Sequence, residues 1–141
     1  MLDEFPVQFK STDMVMTPTS NTIFEEDNSK LLWKKDSETY DTFVAKCVFL
    51  CKRARLDIQP AVAVLATRVQ KSNTQDWQSL VRLMKYLNGT KKYHLTLGIG
   101  NLRMIKWYVD TFFVVYPDFY SHIGGIMTMG TGAIQAGSMK Q

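Results

Sequence analysis

The chain has 141 residues, 45% of them hydrophobic and 21% charged, an ordinary globular balance with enough apolar surface for one domain with a core. No apolar run approaches the ~18–20 residues needed to cross a bilayer. Met1-Leu2-Asp3-Glu4 lacks the basic and apolar regions of a signal peptide, so an intracellular protein without targeting signal or membrane partner is expected. The two cysteines are too few for a disulfide framework, which points to a reducing compartment.

The net charge of +4 is unevenly placed. Residues 1–36 carry 4 basic and 7 acidic side chains, residues 37–103 carry 11 and 4, and residues 104–141 carry 2 of each. A segment with a net charge of +7 can neutralise phosphates and release counterions, although a solvated helix face has the same composition.

Residues 1–36 show no sustained period, and Pro6, Pro18 and the polar run Thr17–Thr22 predict a loop-rich arm. Residues 37–54 predict a helix with Ser37 at its N-cap and an apolar stripe of Phe43, Cys47, Leu50 and Ala54. A second helix is predicted over 58–69, capped by Asp57, with Pro60 in its first turn. A third follows over 74–88, with Ser72 and Gln75 in capping-box spacing, a stripe of Trp77, Leu80, Val81, Met84 and Leu87, and Asn88-Gly89 as the stop. The period then changes to two. Tyr93, Leu95 and Leu97 alternate with polar residues, as do Ile105, Trp107 and Val109, which predicts strands. Pro117-Asp118 predicts a turn, and Ile123–Met129 with Ala133–Ser138 predict a hairpin around Gly130-Thr131-Gly132. The expected class is α+β, divided into an arm (1–36), a helical segment (37–92) and an antiparallel β segment (93–141).

Chemistry-bearing residues are few. Cys47 and Cys51 lie one helical turn apart, but only the distant His94 and His122 could complete a metal site, so buried free thiols are the expectation. Tyr108-Val109-Asp110 matches part of the polymerase motif Tyr-X-Asp-Asp, with Thr111 where the second carboxylate belongs. Asp110 ends an apolar strand, so it is either a surface carboxylate, the default, or a cation ligand. Arg82, Lys85, Lys91 and Lys92 lie near Tyr86 and Tyr93, a mixture of cations and rings that can grip a nucleic-acid backbone and stack bases.

The order of short signatures adds a resemblance. Ala45–Ile58 is similar to the "LLYLSKRARPDI" segment of copia-type retrotransposon polyproteins, and Ala61–Leu65 with Arg68-Val69 resembles the helix that follows it. Asp76-Trp77 through Tyr86-Leu87-Asn88-Gly89-Thr90 resembles "W…LKRVLRYLKGT". Val109–Phe112 falls at "DASF" or "DADW", Ser121–Gly125 resembles "SHTGG", and Gly132–Gln135 with Lys140-Gln141 resembles "GAI(Q/S)…KQ".

The resemblance covers residues 40–141. It implies the thumb or connection end of a reverse transcriptase, followed by an incomplete RNase H-like sheet with its first catalytic carboxylate at the centre. Asp110 would be that carboxylate, the first of four acidic ligands around two Mg²⁺ ions in the intact family. The remaining ligands lie in segments that residues 1–141 do not include, so the expected site is vestigial and the metal set incomplete. Thr111 and Phe112 depart from the family's Ala and Ser, and Leu56 replaces its Pro. The resulting expectation is an inactive polyprotein remnant that is not an enzyme. It would bind no cofactor and take no small-molecule substrate. Its expected partners are an RNA–DNA hybrid or other nucleic acid, held weakly by Arg82, Lys85, Lys91 and Lys92, and further copies of itself through exposed strand edges.

Overall fold

A computed structural model describes residues 1–10, 12–20, 22–25, 29–113, 115 and 118–141. Among these residues three α-helices, α1 (Lys34–Arg53), α2 (Gln59–Thr67) and α3 (Thr74–Gly89), precede five strands. These are β1 (Gly98–Ile99), β2 (Lys106–Phe112), β3 (His122–Thr128), β4 (Gly130–Thr131) and β5 (Gln135–Lys140). The class is α+β, with both sheets antiparallel.

The helices form where apolar spacing demands them, but their ends differ from the sequence expectation. Helix α1 begins three residues before Ser37, with extended Trp33 in the N-cap position. The Ser37 amide donates to the Trp33 carbonyl at 2.9 Å, and its hydroxyl lies 3.2 Å from that of Ser72. Ser37 therefore ties the first turn of α1 to the α2–α3 connector instead of capping α1. Asp57 does not cap α2 either; it belongs to a short 3-10 turn, Leu56–Ile58, that precedes the helix. Pro60 occupies the first turn, where no N–H is needed. Residues 58–69 are not one helix, because α2 ends at Thr67 and a second 3-10 turn spans Val69–Lys71.

The capping box of α3 is Asn73 and Asp76, one residue along from the expected Ser72 and Gln75. The Asp76 amide donates to Asn73 Oδ1 at 2.9 Å, and the Asn73 amide donates to Asp76 Oδ2 at 3.0 Å. A one-residue shift separates two polar pairs that the sequence alone offers equally. Asp76 also accepts from Arg68 Nη1 at 2.9 Å, and Arg68 Nη2 donates to the carbonyls of Ile23 and Glu25.

The buried core is built from all three helices: Tyr40, Phe43, Val44 and Cys47 of α1, Val62, Val64 and Leu65 of α2, and Leu80, Leu83, Met84 and Leu87 of α3. The described residues of the arm form no helix or strand, as expected, yet Phe5 and Ile23 enter this core. The Phe5 ring lies 4.8 Å from that of Phe43, edge to face, and stacks at 5.7 Å on Trp77. Leu31 makes a single bridge to Asn73, and the Trp33 ring stays exposed beneath the Lys30 ammonium.

The β segment is assembled differently. The alternation of Tyr93–Leu97 produces no strand, because no described residue pairs with it before Gly98–Ile99 meets Gly130–Thr131. Strands β2, β3 and β5 form a meander with β3 in the middle. The expected hairpin is present, and Gly132 supplies its left-handed turn at φ 76°, where a Cβ would collide with the Thr96 carbonyl. Val114 and Tyr116 of the apolar run after β2, and Pro117 of the expected Pro117-Asp118 turn, lie outside the described residues.

Among the described residues of 93–141, no side chain enters the hydrophobic core, and Trp107, Val109, Phe112, Phe113 and Phe119 are exposed. Specific contacts tie the sheet to α2 and to the arm. Gln59 Nε2 donates to the Ala136 carbonyl at 3.0 Å, and the Phe24 ring lies 5.6 Å from that of His122. A small buried apolar area makes for low local stability. In hydrogen exchange, amides of Leu80–Leu87 are therefore expected to open only with global unfolding, whereas those of β2 exchange by a sub-global opening of lower free energy. Equal protection in α3 and β2 would contradict this division.

Candidate functional site

Asp110 stands within β2 and does not end it as expected, because Thr111 and Phe112 continue the pairing with β3; it lies opposite Gly124 of β3, which in turn stands opposite Ser138 of β5. It is exposed, and one carboxylate oxygen accepts the Thr111 amide at 2.9 Å. The expected central position is not observed. Only β3 pairs with β2 among the described residues, so Asp110 lies on an edge strand. No three His, Cys, Asp or Glu side chains gather among the described residues into a group that could hold a metal ion. No helix of the described residues is long and apolar enough to cross a membrane.

Alternation puts Tyr108, Asp110, Gly124, Ile126, Ala136 and Ser138 on the sheet face that carries His122. On that face His122 is buried and packs against Phe24 of the arm, whereas Tyr108, Asp110 and Ile126 are exposed. Burial lowers the His122 pKa, and the ring Nε2 lies 2.6 Å from Ser138 Oγ. Between this face and the start of α2 lies a cleft of about 270 Å³ lined by Leu56, Gln59, Pro60, Tyr108, Asp110 and Ile126. The sequence gives no signal for Gln59 or Ser138 at this site, because the pairing of Gln59 with Ala136 spans 77 positions.

The basic quartet does not form one patch. Arg82 is half-buried on α3; its Nη2 donates to Thr17 Oγ1 at 3.0 Å, and its Nε is buried with no hydrogen-bond partner among the described residues. It borders a polar cleft of about 360 Å³ that Ser20, Thr22, Ser29, Thr74 and Ser79 also line. Lys85 is half-buried, whereas Lys91 and Lys92 are exposed in the turn after α3. Lys91 borders a different groove, beside Asp3, Gln8 and Asn88.

Tyr86 is unavailable for base stacking, contrary to the sequence expectation. It is buried, and its hydroxyl donates to Asp57 Oδ2 at 2.9 Å. Tyr93 remains exposed, with the Arg55 guanidinium 5.7 Å from its ring centroid. Arg55, although within the basic segment, is 7% exposed and is taken up internally. Its Nε and Nη2 donate to the two oxygens of Asp57 at 2.9 and 2.7 Å, and Nη1 and Nη2 donate to the carbonyl and hydroxyl oxygens of Thr90.

Cys47 and Cys51 are free and buried in the core of α1. Burial, with Cys51 alongside, pushes the Cys47 thiol up to about 12, and burial raises Cys51 as well, so neither is a ready thiolate.

No protein-family model, curated protein or solved structure matches this chain.

Burial by itself would raise the Asp57 carboxyl, but the hydrogen bonds from Arg55 and Tyr86 outweigh it and hold the group below the usual carboxylate range. A depressed folded value contributes stability above the unfolded pKa, and that contribution disappears as pH falls through the folded one. Asp57→Asn is therefore expected to lower stability at neutral pH by about 1–2 kcal/mol, the low end for a charged bidentate contact that solvent partly reaches. The gap to the native chain should close as pH falls from about 4 through the lower folded value. Urea midpoints measured across pH check this, and a gap that persists in strong acid would contradict it.

Proposed function

We propose that residues 40–141 descend from the reverse transcriptase–RNase H junction of a copia-type polyprotein and that this chain cleaves no RNA–DNA hybrid. Three helices followed by a meander with Asp110 on its first long strand agree with the order the motif resemblance implies. The observation that carries the loss of activity is the carboxylate count. Two-metal hydrolysis needs several oxygens placed around a pair of ions, and Mg²⁺ sheds its water only for such a set. Asp110 supplies one such side chain, without a gathered ligand group among the described residues. Purified protein with Mg²⁺ or Mn²⁺ is expected to leave labelled RNA in an RNA–DNA hybrid intact. Cleavage that Asp110→Asn abolishes would overturn the reading.

A second reading, weak nucleic-acid binding, rests on Arg82. A buried guanidinium N–H beside hydroxyl-bearing side chains is what a phosphate oxygen requires, and exposed Lys91, Lys92 and Tyr93 lie beyond the end of the same helix. The affinity of the chain for an oligo-dT strand should then fall linearly with salt on logarithmic axes. Arg82→Gln should flatten that slope by about 0.7, the share of one phosphate contact on a single strand. No binding at low salt, or a slope of zero, removes this reading.

The same proposal includes self-association. Strand β2 has a free edge among the described residues, flanked by exposed Trp107, Val109 and Phe112.

A further inference from the structure

We infer that the cleft between the start of α2 and the His122-bearing face of the β2–β3–β5 sheet binds small planar cations of the aryl amidine or guanidine class. This inference stands apart from the ancestry of the chain, since it uses Asp110 as a counter-ion and not as a metal ligand.

The shape comes first. Leu56, Pro60, Tyr108 and Ile126 make the walls apolar, and the volume of about 270 Å³ lies just below the usual range for small-molecule sites, suited to one ring with a head group. The floor is backbone at Gly124, Gly125 and Gly137. A Cβ built on Gly124 would meet only the Gly137 carbonyl oxygen, at 3.9 Å. The space is therefore open because no side chain occupies it, and a flat ring can lie where one would stand.

The polar groups then select the ligand. The Gln59 amide has its orientation fixed, because its NH₂ donates to the Ala136 carbonyl at 3.0 Å and a flip would set oxygen against oxygen. That leaves Oε1 buried and without a hydrogen-bond partner among the described residues. Asp110 uses one oxygen on the Thr111 amide, and no described cation pairs with it. The Ser138 hydroxyl is occupied by His122. What the cleft lacks is therefore N–H donors and one positive charge. An amidinium or guanidinium on an apolar ring provides both. A phosphate or carboxylate would meet the Asp110 charge and an acceptor oxygen, so this cleft is not a site for a nucleic-acid backbone.

Benzamidine titrated into the full chain, followed by calorimetry and by saturation-transfer NMR, tests the inference. The expected result is saturable one-site binding of benzamidine and none of benzoate. Asp110→Asn and Gln59→Leu should each weaken it about tenfold, the loss of one charged or buried hydrogen bond. Gly124→Val should abolish binding by filling the floor. Should Gly124→Val fail to fold, the two polar variants still decide. Three results would each overturn the inference: benzoate binding as well as benzamidine, affinity unchanged in both polar variants, or no benzamidine signal at about 10 mM, where even a millimolar site is well occupied.

Discussion

One buried carboxylate organises the helical half of this molecule. Asp76 is 1% exposed, and its two oxygens serve different elements. One accepts the Asn73 amide and so starts α3; the other accepts Arg68, which ends α2. The remaining reach of Arg68 goes to the Ile23 and Glu25 carbonyls, so the same charge pair seats the arm. A buried pair adds little net free energy over an apolar replacement, but losing one member strands a charge at a cost of about 3–5 kcal/mol. Its value here is specificity of placement. Nearby, the Tyr40 hydroxyl donates to the Leu65 carbonyl at 3.0 Å, and burial holds the phenol far above its ordinary pKa.

With that junction set, the arm and the helices share one apolar interior, and Phe5 fills the gap between Phe43 and Trp77. Arg55 performs a parallel task at the other end, joining the α1–α2 corner to Thr90 beyond α3 through Asp57 and Tyr86. Two arginines of the strongly basic segment thus act as internal braces. A charge count over the segment overstates the cations available to an outside polyanion, because burial and pairing remove them from solvent.

The β half obeys a different constraint. Its middle strand carries Gly124 and Gly125, and β5 carries Gly137. Glycines allow close backbone pairing but offer no side chain to bury, so hydrogen bonds hold the sheet together while its apolar residues remain at the surface. The same glycines leave the floor beside Asp110 open. The weak packing of the sheet and the presence of a cleft there have a common origin.

The sequence by itself determined the three helices, the glycine turn near residue 132 and the burial of Cys47 and Cys51. Each follows from apolar spacing or backbone freedom within a few residues. It also singled out Asp110 and Arg82, since a lone carboxylate in an apolar strand and a cation on a helix are local features. Only the tertiary structure decided that Asn73 and not Ser72 caps α3, that Tyr86 is buried against Asp57, and that Arg55 faces inward. It alone brought Gln59 to Ala136 and set Asp110 at the edge of its sheet. These outcomes depend on which distant groups compete for the same hydrogen bond or the same burial, and no local pattern encodes that competition.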